Sequence, residues 1–190
     1  MQKLFEHINK YTSIDTAAFE EIISFFTIKS VSKKENIYTA ESKALHHYFV
    51  LNGCIHLYFI NDRGAEQTLQ FAIENWWITD YLAFQNNRSS EFCIQAVEKS
   101  EILQITYQDQ EELLRRFPQM ETYFRKVYQT AYGAAMMRIK YIFSYSKEDI
   151  YFEFKDAFPN FVNNVPQYLV ATYLGLSPEY VSKLRRKSIS

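Results

Sequence analysis

The chain contains few cysteines and no long apolar run, and each shortage excludes a class of protein. Among 190 residues only Cys54 and Cys93 carry thiols, which excludes a disulfide-rich secreted scaffold and any zinc or iron–sulfur site built from cysteine alone. No apolar stretch is long enough to span a bilayer, and no basic-then-apolar leader opens the chain. We therefore expect a cytoplasmic protein with reduced thiols and no membrane partner.

The net charge of −1 hides an uneven distribution of charged residues. From residue 160 to the end, four basic side chains outnumber one carboxylate, so this segment carries +3 and the rest of the chain carries −4. The charged residues of the segment are Lys183, Arg185, Arg186 and Lys187, against Glu179. Local positive charge is what attracts a nucleic-acid backbone, although a chance cluster at a solvated terminus would have the same composition.

Residues 167–187 have the pattern of a helix-turn-helix, which places one helix in the DNA major groove. Ala171 is small where two helices would cross, and Gly175 lies where the turn needs a positive φ. Ser177 and Pro178 form a helix start, as an N-cap followed by proline at the first helical position. The apolar positions expected to pack across the turn are Leu169, Val170, Leu174, Val181 and Leu184. A plain two-helix hairpin would share that apolar pattern but would not need these small, turn and cap residues beside a basic face.

The period of the apolar pattern divides the rest of the chain. It predicts two helices up to about residue 26, the second capped by Asp15 or Thr16, and then short strands from residue 27 to 105. Asn52-Gly53 and Asn61–Gly64 predict hairpin turns, and many short strands of this kind imply a sandwich or small barrel. The predicted strand segments are Val31, Ile37–Thr39, Tyr48–Leu51, Cys54–Ile60, Gln67–Ile73, Phe92–Val97 and Glu101–Ile105.

After residue 107 the pattern is helical again. It predicts a short helix over Asp109–Phe117, a long helix over Gln119–Tyr145, a further helix over Glu148–Phe158 and a linker over Pro159–Pro166. The long helix has a heptad pattern that predicts pairing with a parallel helix of a second copy; the alternative is a helix packed only on its own domain. The seam predicted from this pattern consists of Met120, Phe124, Val127, Ala131, Ala134, Arg138 and Tyr141.

This order of elements resembles that of the Crp/Fnr (cyclic-AMP receptor protein) family of bacterial transcription regulators. The most specific pieces are Leu51–Tyr58, Gln95–Leu103 and the helix-turn-helix pattern. The resemblance implies an α+β fold with a double-stranded β-roll of the cyclic-nucleotide-binding type over residues 1–117. It also implies a dimerisation helix over 118–145 and a helix-turn-helix DNA-binding domain over 146–190, which lacks a full wing because the sequence ends at Ser190.

The segment Glu74–Asp80, followed by Gln95-Ala96, resembles a divergent form of the family's phosphate-binding cassette. Family members that bind cyclic AMP hold the ribose with a Gly-Glu pair and the phosphate with an Arg-Ser pair, because a buried phosphate needs a paired charge. Counting back from Gln95-Ala96, Ser90 and Glu91 stand where that Arg-Ser pair would be. Cyclic AMP is therefore not expected, and the pocket either takes a more apolar effector or is filled by its own rings. The residues predicted to line it are Phe71, Trp76, Trp77, Tyr81, Arg88, Ser90 and Phe92.

The resemblance also implies roles at DNA. The residues that would face the major groove are Ser177, Pro178, Glu179, Ser182, Lys183 and Arg186. Glu179 can accept from cytosine N4 and Lys183 can donate to guanine O6 and N7, whereas Arg185 and Lys187 would contact phosphates. A dimer would hold two recognition helices about 34 Å apart, so the expected partner is double-stranded DNA with an inverted repeat, and RNA polymerase is a further candidate partner.

Two rival interpretations remain open at the level of sequence. A β-roll with histidines could be a metal-dependent enzyme, but His46 and His47 point to opposite faces of a strand and His56 has no H-x-H partner set, so no catalytic or metal site is predicted. The second rival, motivated by the missing wing, is a ligand-sensing or protein-interaction module that does not bind DNA.

Overall fold

The structure is a computed structural model that describes residues 1–43 and 46–187. It divides into two compact units. The first, here called the sheet unit, contains Met1–Phe59 and Gln70–Thr130; the second, the helix unit, contains Ile60–Leu69 and the chain from Ala131 onward. The helices are α1 (Gln2–Asn9), α2 (Thr16–Ile23), α3 (Tyr81–Gln85), α4 (Tyr107–Arg116), α5 (Gln119–Ser144), α6 (Lys147–Ala157), α7 (Pro159–Asn164), α8 (Gln167–Tyr173) and α9 (Pro178–Lys187).

The strands form two four-stranded sheets, with strand orders β1-β8-β3-β6 and β2-β7-β4-β5. Their bounds are β1 (Thr27–Val31), β2 (Asn36–Tyr38), β3 (His46–Asn52), β4 (Cys54–Ile60), β5 (Glu66–Ile73), β6 (Trp77–Ile78), β7 (Cys93–Ala96) and β8 (Ser100–Thr106). Strands that are distant in sequence are neighbours in both sheets, as in a roll closed by crossovers. The predicted β-roll fold is confirmed, and β6 is the one described strand that the periodicity did not predict, because two residues are too short to show a period.

The predicted hairpin at Asn52-Gly53 is wrong. This turn joins β3 in one sheet to β4 in the other, so the two strands do not pair with each other. Gly53 has φ +91, and a Cβ at this position would overlap Ser100 Oγ and lie 2.8 Å from the Lys99 carbonyl oxygen. The hairpin predicted at Asn61–Gly64 does form, between β4 and β5, with the Gly64 N–H donating to the Asn61 carbonyl at 2.8 Å.

We expect Gly53→Ala to lower the free energy of unfolding by about 2 to 3 kcal/mol, because an alanine there has both a disfavoured φ and an overlap with backbone. Gly64→Ala is the matched control, since Gly64 has φ +74 but nothing within 4 Å of its Cβ position. Its cost should be about 1 kcal/mol, from the backbone alone. Urea unfolding of both variants measures the difference, and equal losses would show that the close approach at Gly53 has no cost of its own.

The core of the sheet unit lies between the β1-β8-β3-β6 sheet and the helices that cover it. Phe49 and Leu51 of β3 pack there together with residues of α1, α2 and α4 and with the first half of α5. Phe124 and Val127 of α5 belong to this core and are 1% and 7% exposed. They therefore face their own unit, which corrects the predicted helix-pairing seam at these positions and at Met120.

A buried hydrogen-bonded relay ties the core to the first helix. The Trp77 indole N–H donates to the Tyr123 hydroxyl oxygen at 2.7 Å, and the same hydroxyl lies 2.7 Å from Nδ1 of His7. Since the hydroxyl already accepts from Trp77, its own proton is available for His7, which then accepts as a neutral imidazole. Burial agrees with this arrangement, because it lowers the pKa of His7 to about 4.

The helix unit consists of α6 to α9, the second half of α5 and the tip of the β4–β5 hairpin. The segment predicted as a linker between Pro159 and Pro166 contains the short helix α7 instead. Pro159 is at its first turn, where proline is compatible with a helix because the missing N–H would have no partner there.

In the sheet unit, Cys54 and Cys93 are both free and buried, as expected for reduced thiols.

Candidate functional site

The helix pair α8–α9 has the local features that the sequence predicted. Ala171 is completely buried, and Gly175 has φ +70 in the turn between the helices. The Tyr180 N–H donates to Ser177 Oγ at 3.2 Å, so Ser177 is the N-cap of α9 and Pro178 its first residue. The inner face is formed by the predicted apolar residues Leu169, Val170, Leu174, Val181 and Leu184, each of which is buried.

The opposite face of α9 carries the polar and charged side chains. Glu179 and Lys183, four residues apart, are both exposed, and Ser182 between them is half-buried. The Glu179 backbone N–H and the Ser177 hydroxyl hold the pKa of the Glu179 carboxyl below its ordinary value, so it remains an ionised acceptor. This side of α9 therefore presents one acceptor and one cationic donor within a single helical turn.

Of the two residues predicted to contact phosphates, Arg185 is half-buried and Lys187 has a protein partner. Lys187 Nζ donates to Glu148 Oε1 at 2.7 Å, which joins the end of α9 to the start of α6. Both side chains are exposed, at 67% and 40%, and a surface ion pair contributes little free energy. Lys187 could exchange this carboxylate for a phosphate at small cost. Arg186 is exposed, and the residues beyond Lys187, where a wing would begin, lie outside the described part of the chain.

The residues predicted to line an effector pocket are distributed over several places in the sheet unit. Trp77 and Tyr81 pack together around His47, with ring centroids 4.3 and 5.4 Å from the imidazole. Phe71 instead stacks on His56, at 5.9 Å. The other four predicted residues are Trp76 and Arg88, which are exposed, Phe92, which is half-buried, and Ser90, which is buried.

Ser90 stands where the resemblance places a phosphate-binding arginine, and its surroundings are acidic. Its hydroxyl donates to Asp80 Oδ2 at 2.8 Å and accepts from the Phe92 N–H at 3.0 Å. Asp80 also caps α3 by accepting from the Ala83 N–H at 3.1 Å. A phosphate at this position would meet a carboxylate, and none of the Lys and Arg side chains that the structure describes is buried to pair with it, which is strongly unfavourable. Sequence reasoning missed Asp80, although its position directly before a helix start was a recognisable capping signal.

His47 is the most deeply buried titratable group of the β3 strand. Its Nδ1 lies 3.1 Å from Gln110 Oε1, so it donates to that amide, whose Nε2 in turn donates to the Tyr128 hydroxyl at 3.0 Å. Burial lowers the pKa of His47 to about 3, and the imidazole is therefore neutral. His46, its neighbour, is only half-buried, which agrees with the prediction that the two side chains point to opposite faces.

The second half of α5 departs most from the predicted seam. Arg138 makes hydrogen bonds inside the helix unit, and Tyr141 stacks on Tyr145 at 5.1 Å. Of the small seam residues, Ala134 is exposed and Ala131 half-buried. Seven large apolar side chains of α5 stay exposed, which are Tyr128, Tyr132, Met136, Met137, Ile139, Ile142 and Phe143. Four of them share one side of the helix: Tyr132 (68%), Met136 (40%), Ile139 (44%) and Phe143 (86%). They repeat four, three and four residues apart, a heptad pattern on nearly the opposite side of the helix from the predicted seam. We refer to these four residues as the α5 apolar face.

Within residues 1–43 and 46–187, no group of three or more His, Cys, Asp or Glu side chains is placed to hold a metal ion. None of the helices over the same residues is long and apolar enough to cross a membrane.

Comparison with known proteins places this geometry in context. Residues 28–117 match the family model of the cyclic nucleotide-binding domain. Among solved structures, the c-di-GMP responsive global regulator CLP of Xanthomonas campestris superposes with a TM-score of 0.70 at 12% identity, covering 91% of each chain. A protein described as a Crp/Fnr transcriptional regulator, from Eubacterium rectale, gives a TM-score of 0.70 at 16% identity, over 92% of this chain and 83% of that chain.

A CooA mutant from Carboxydothermus hydrogenoformans gives a TM-score of 0.68 at 18% identity, over 96% of this chain and 83% of that one. No curated protein sequence matches. At such low identities the superpositions establish a shared fold, so the function has to be argued from the residues of this chain.

Proposed function

Residues 28–117 match the cyclic nucleotide-binding domain and the chain has the fold of Crp/Fnr transcription regulators, and from this premise we propose that it is a homodimeric, sequence-specific DNA-binding regulator. The observation that carries the proposal is the two-sided character of α9. Its inner face is buried on α8, while Glu179 and Lys183 are exposed together on the outer face. A helix held in this way can enter the major groove, where these two side chains match cytosine N4 and guanine O6/N7.

Pairing of two chains through the α5 apolar face completes the proposal. Four large apolar side chains at heptad spacing on one exposed helix surface are typical of a helix that pairs with a copy of itself. A two-fold dimer would present two recognition helices about 34 Å apart, which corresponds to an inverted repeat in the DNA.

We further propose that the regulator does not respond to cyclic AMP. The Asp80–Ser90 hydrogen bond supports this, since it puts a carboxylate beside the position at which a cyclic nucleotide phosphate would need a cation. Isothermal titration with cyclic AMP should give no heat above dilution. Saturable binding would contradict this part of the proposal and leave the DNA-binding part intact.

The proposal is tested by selecting bound fragments from sheared genomic DNA with the purified protein at a stated salt concentration. We expect enrichment of one inverted repeat. If nothing is enriched at low salt, with or without cell extract, while the protein remains a folded dimer, the function is that of an interaction module without DNA binding.

Replacing Lys183 tests its assignment to a base contact. Lys183→Ala should cost about 1–3 kcal/mol of binding free energy on the selected repeat and should relax sequence preference at one base pair of each half-site. Lys140→Ala, which removes the same charge from an exposed position of α5, is the control and should leave base preference unchanged. Equal weakening of Lys183→Ala on random DNA would instead identify Lys183 as a phosphate contact.

A further inference from the structure

Arg138 holds three segments of the helix unit together. On α5, its Nε and Nη2 donate to the carbonyl oxygen of Tyr173 at 3.0 and 2.7 Å, and Nη2 also reaches the carbonyl oxygen of Thr68 at 3.4 Å. The guanidinium carbon lies 4.6 Å from the centroid of the Tyr173 ring. The side chain is half-buried, and burial lowers its pKa, but a guanidinium remains charged in proteins.

The acceptor that Arg138 uses is at the end of α8. Tyr173 is the last residue of that helix, and the final carbonyls of a helix lack intrahelical partners and carry partial negative charge. A planar guanidinium with several fixed N–H groups can satisfy such a carbonyl from two nitrogens while it stacks on the adjacent ring. The contact therefore fixes both the position and the orientation of the α8 C-terminus on α5.

A second link joins α8 to the hairpin. Thr172 Oγ1 donates to Thr68 Oγ1 at 3.1 Å, next to the carbonyl that Arg138 reaches. Thr68 lies in β5, in the segment of the β4–β5 hairpin that belongs to the helix unit. The long helix, the first helix of the α8–α9 pair and the hairpin thus meet at one polar contact.

We propose that Arg138 is a positioning residue for DNA binding, which sets the placement of α8, and of α9 packed on it, relative to the long helix. This inference rests on the proposed function. If two chains pair through α5, the same Arg138 contact is present in both chains, and it determines the separation of the two recognition helices. Arg138 does not touch DNA in this arrangement, and its effect is on the half-site spacing that the dimer accepts.

The test uses synthetic duplexes that carry the selected repeat with its natural half-site spacing, the same repeat with one or two base pairs inserted, and a single half-site. The wild-type dimer should prefer the natural spacing. Arg138→Ala should reduce that preference by about ten-fold, because it removes a charge-assisted contact at each of the two symmetric positions. Affinity for the single half-site should remain within about two-fold, since the side chains of α9 are unchanged.

Three further variants separate positioning from simple destabilisation. Lys140→Ala removes an exposed positive charge two residues away on α5 and should leave the spacing preference unchanged. Arg138→Lys keeps the charge without the planar fork and should restore part of the preference. Thr172→Val removes the second link with little change in shape; it should weaken the preference in the same direction, and it decides the question if Arg138→Ala proves not to fold by circular dichroism.

The outcomes are distinct. Loss of affinity in Arg138→Ala that is equal for the natural repeat, the spaced repeats and the half-site would overturn the inference, because a purely structural role predicts uniform weakening. An unchanged spacing preference in both Arg138→Ala and Thr172→Val would also overturn it. If the wild-type protein binds none of the duplexes, the proposed function fails, and the inference fails with it.

Discussion

Ile139→Lys should convert the protein into a monomer at micromolar concentration and raise the dimer dissociation constant about 1,000-fold. Ile139 is in the middle of the α5 apolar face, between Met136 and Phe143, and is 44% exposed in the single chain. In a two-fold dimer each substitution occurs twice at the interface, so two unpaired ammonium groups would have to be buried or the helices would separate. Sedimentation analysis of the wild type and the variant over a range of concentrations measures the change.

The same variant should lose binding to the inverted repeat by a factor of about 100 or more, because a monomer makes contact with one half-site only. Its affinity for a single half-site should be that of the wild type. Ile28→Lys is the matched control: Ile28 is 51% exposed on β1, so the same substitution is made at similar exposure away from the proposed interface. If Ile139→Lys remains a dimer, the chains pair through another surface.

The difference between the predicted seam and the α5 apolar face shows why sequence alone could not tell which side of α5 packs on its own domain. The α5 sequence has heptad spacing on two sides, and periodicity cannot tell which stripe packs on its own domain. Phe124 and Val127 pack in a core whose other residues lie far away in sequence, in β3, α1 and α4. Only that three-dimensional arrangement buries Phe124 and Val127 and leaves Tyr132, Met136, Ile139 and Phe143 among the exposed apolar residues of α5.

The α8–α9 pair could be predicted almost completely, because its determinants are local. A cap, a turn glycine and a small crossing residue act within a few positions of one another, and the structure has Ser177, Gly175 and Ala171 in these roles.

The Asn52-Gly53 turn shows the limit of such signals. Local chemistry correctly predicted a turn there, and Gly53 has a positive φ, but whether the next strand pairs with the previous one depends on the sheet that it joins.

Two of the rings predicted to line the effector pocket have contacts that the local sequence does not indicate. Trp77 was predicted to line the pocket because it is a large ring in the cassette-like segment. Its indole N–H instead donates a hydrogen bond to the hydroxyl of Tyr123, a residue on α5. The Tyr81 ring likewise packs against the Tyr128 ring, with the two centroids 5.3 Å apart. Contacts between positions about fifty residues apart leave no trace in the local pattern. Counting along the motif placed Glu91 next to Ser90, but it did not predict the Asp80 carboxylate that Ser90 contacts.

Acid should destabilise the protein well before its carboxylates are protonated, and His47 should be the main cause. The pKa of His47 is lowered by burial from 6.5 to about 3, and the groups packed around it are rings and the Gln110 amide. Burial also lowers the pKa values of His7 and His56 to about 4, and that of His46. A folded-state pKa below the unfolded value means that the unfolded chain binds more protons, so the contribution to stability is complete above pH 6.5 and is lost as the pH falls toward 3.

For His47 the expected loss of unfolding free energy is about 1.4 kcal/mol per pH unit below 6.5, and therefore about 3 kcal/mol by pH 4.5. Urea unfolding at a series of pH values between 8 and 4.5 measures it. His47→Leu should flatten the profile by about one proton taken up on unfolding, whereas His46→Gln, at the half-buried neighbouring position, should change the slope less. If His47→Leu has the same slope as the wild type, His47 is protonated as easily in the folded protein as in the unfolded chain. A neutral imidazole that is hydrogen-bonded to the Gln110 amide would then be wrong.

The wild type should also keep its dimer and its DNA affinity down to about pH 6.5, because no described histidine needs to be charged for either function.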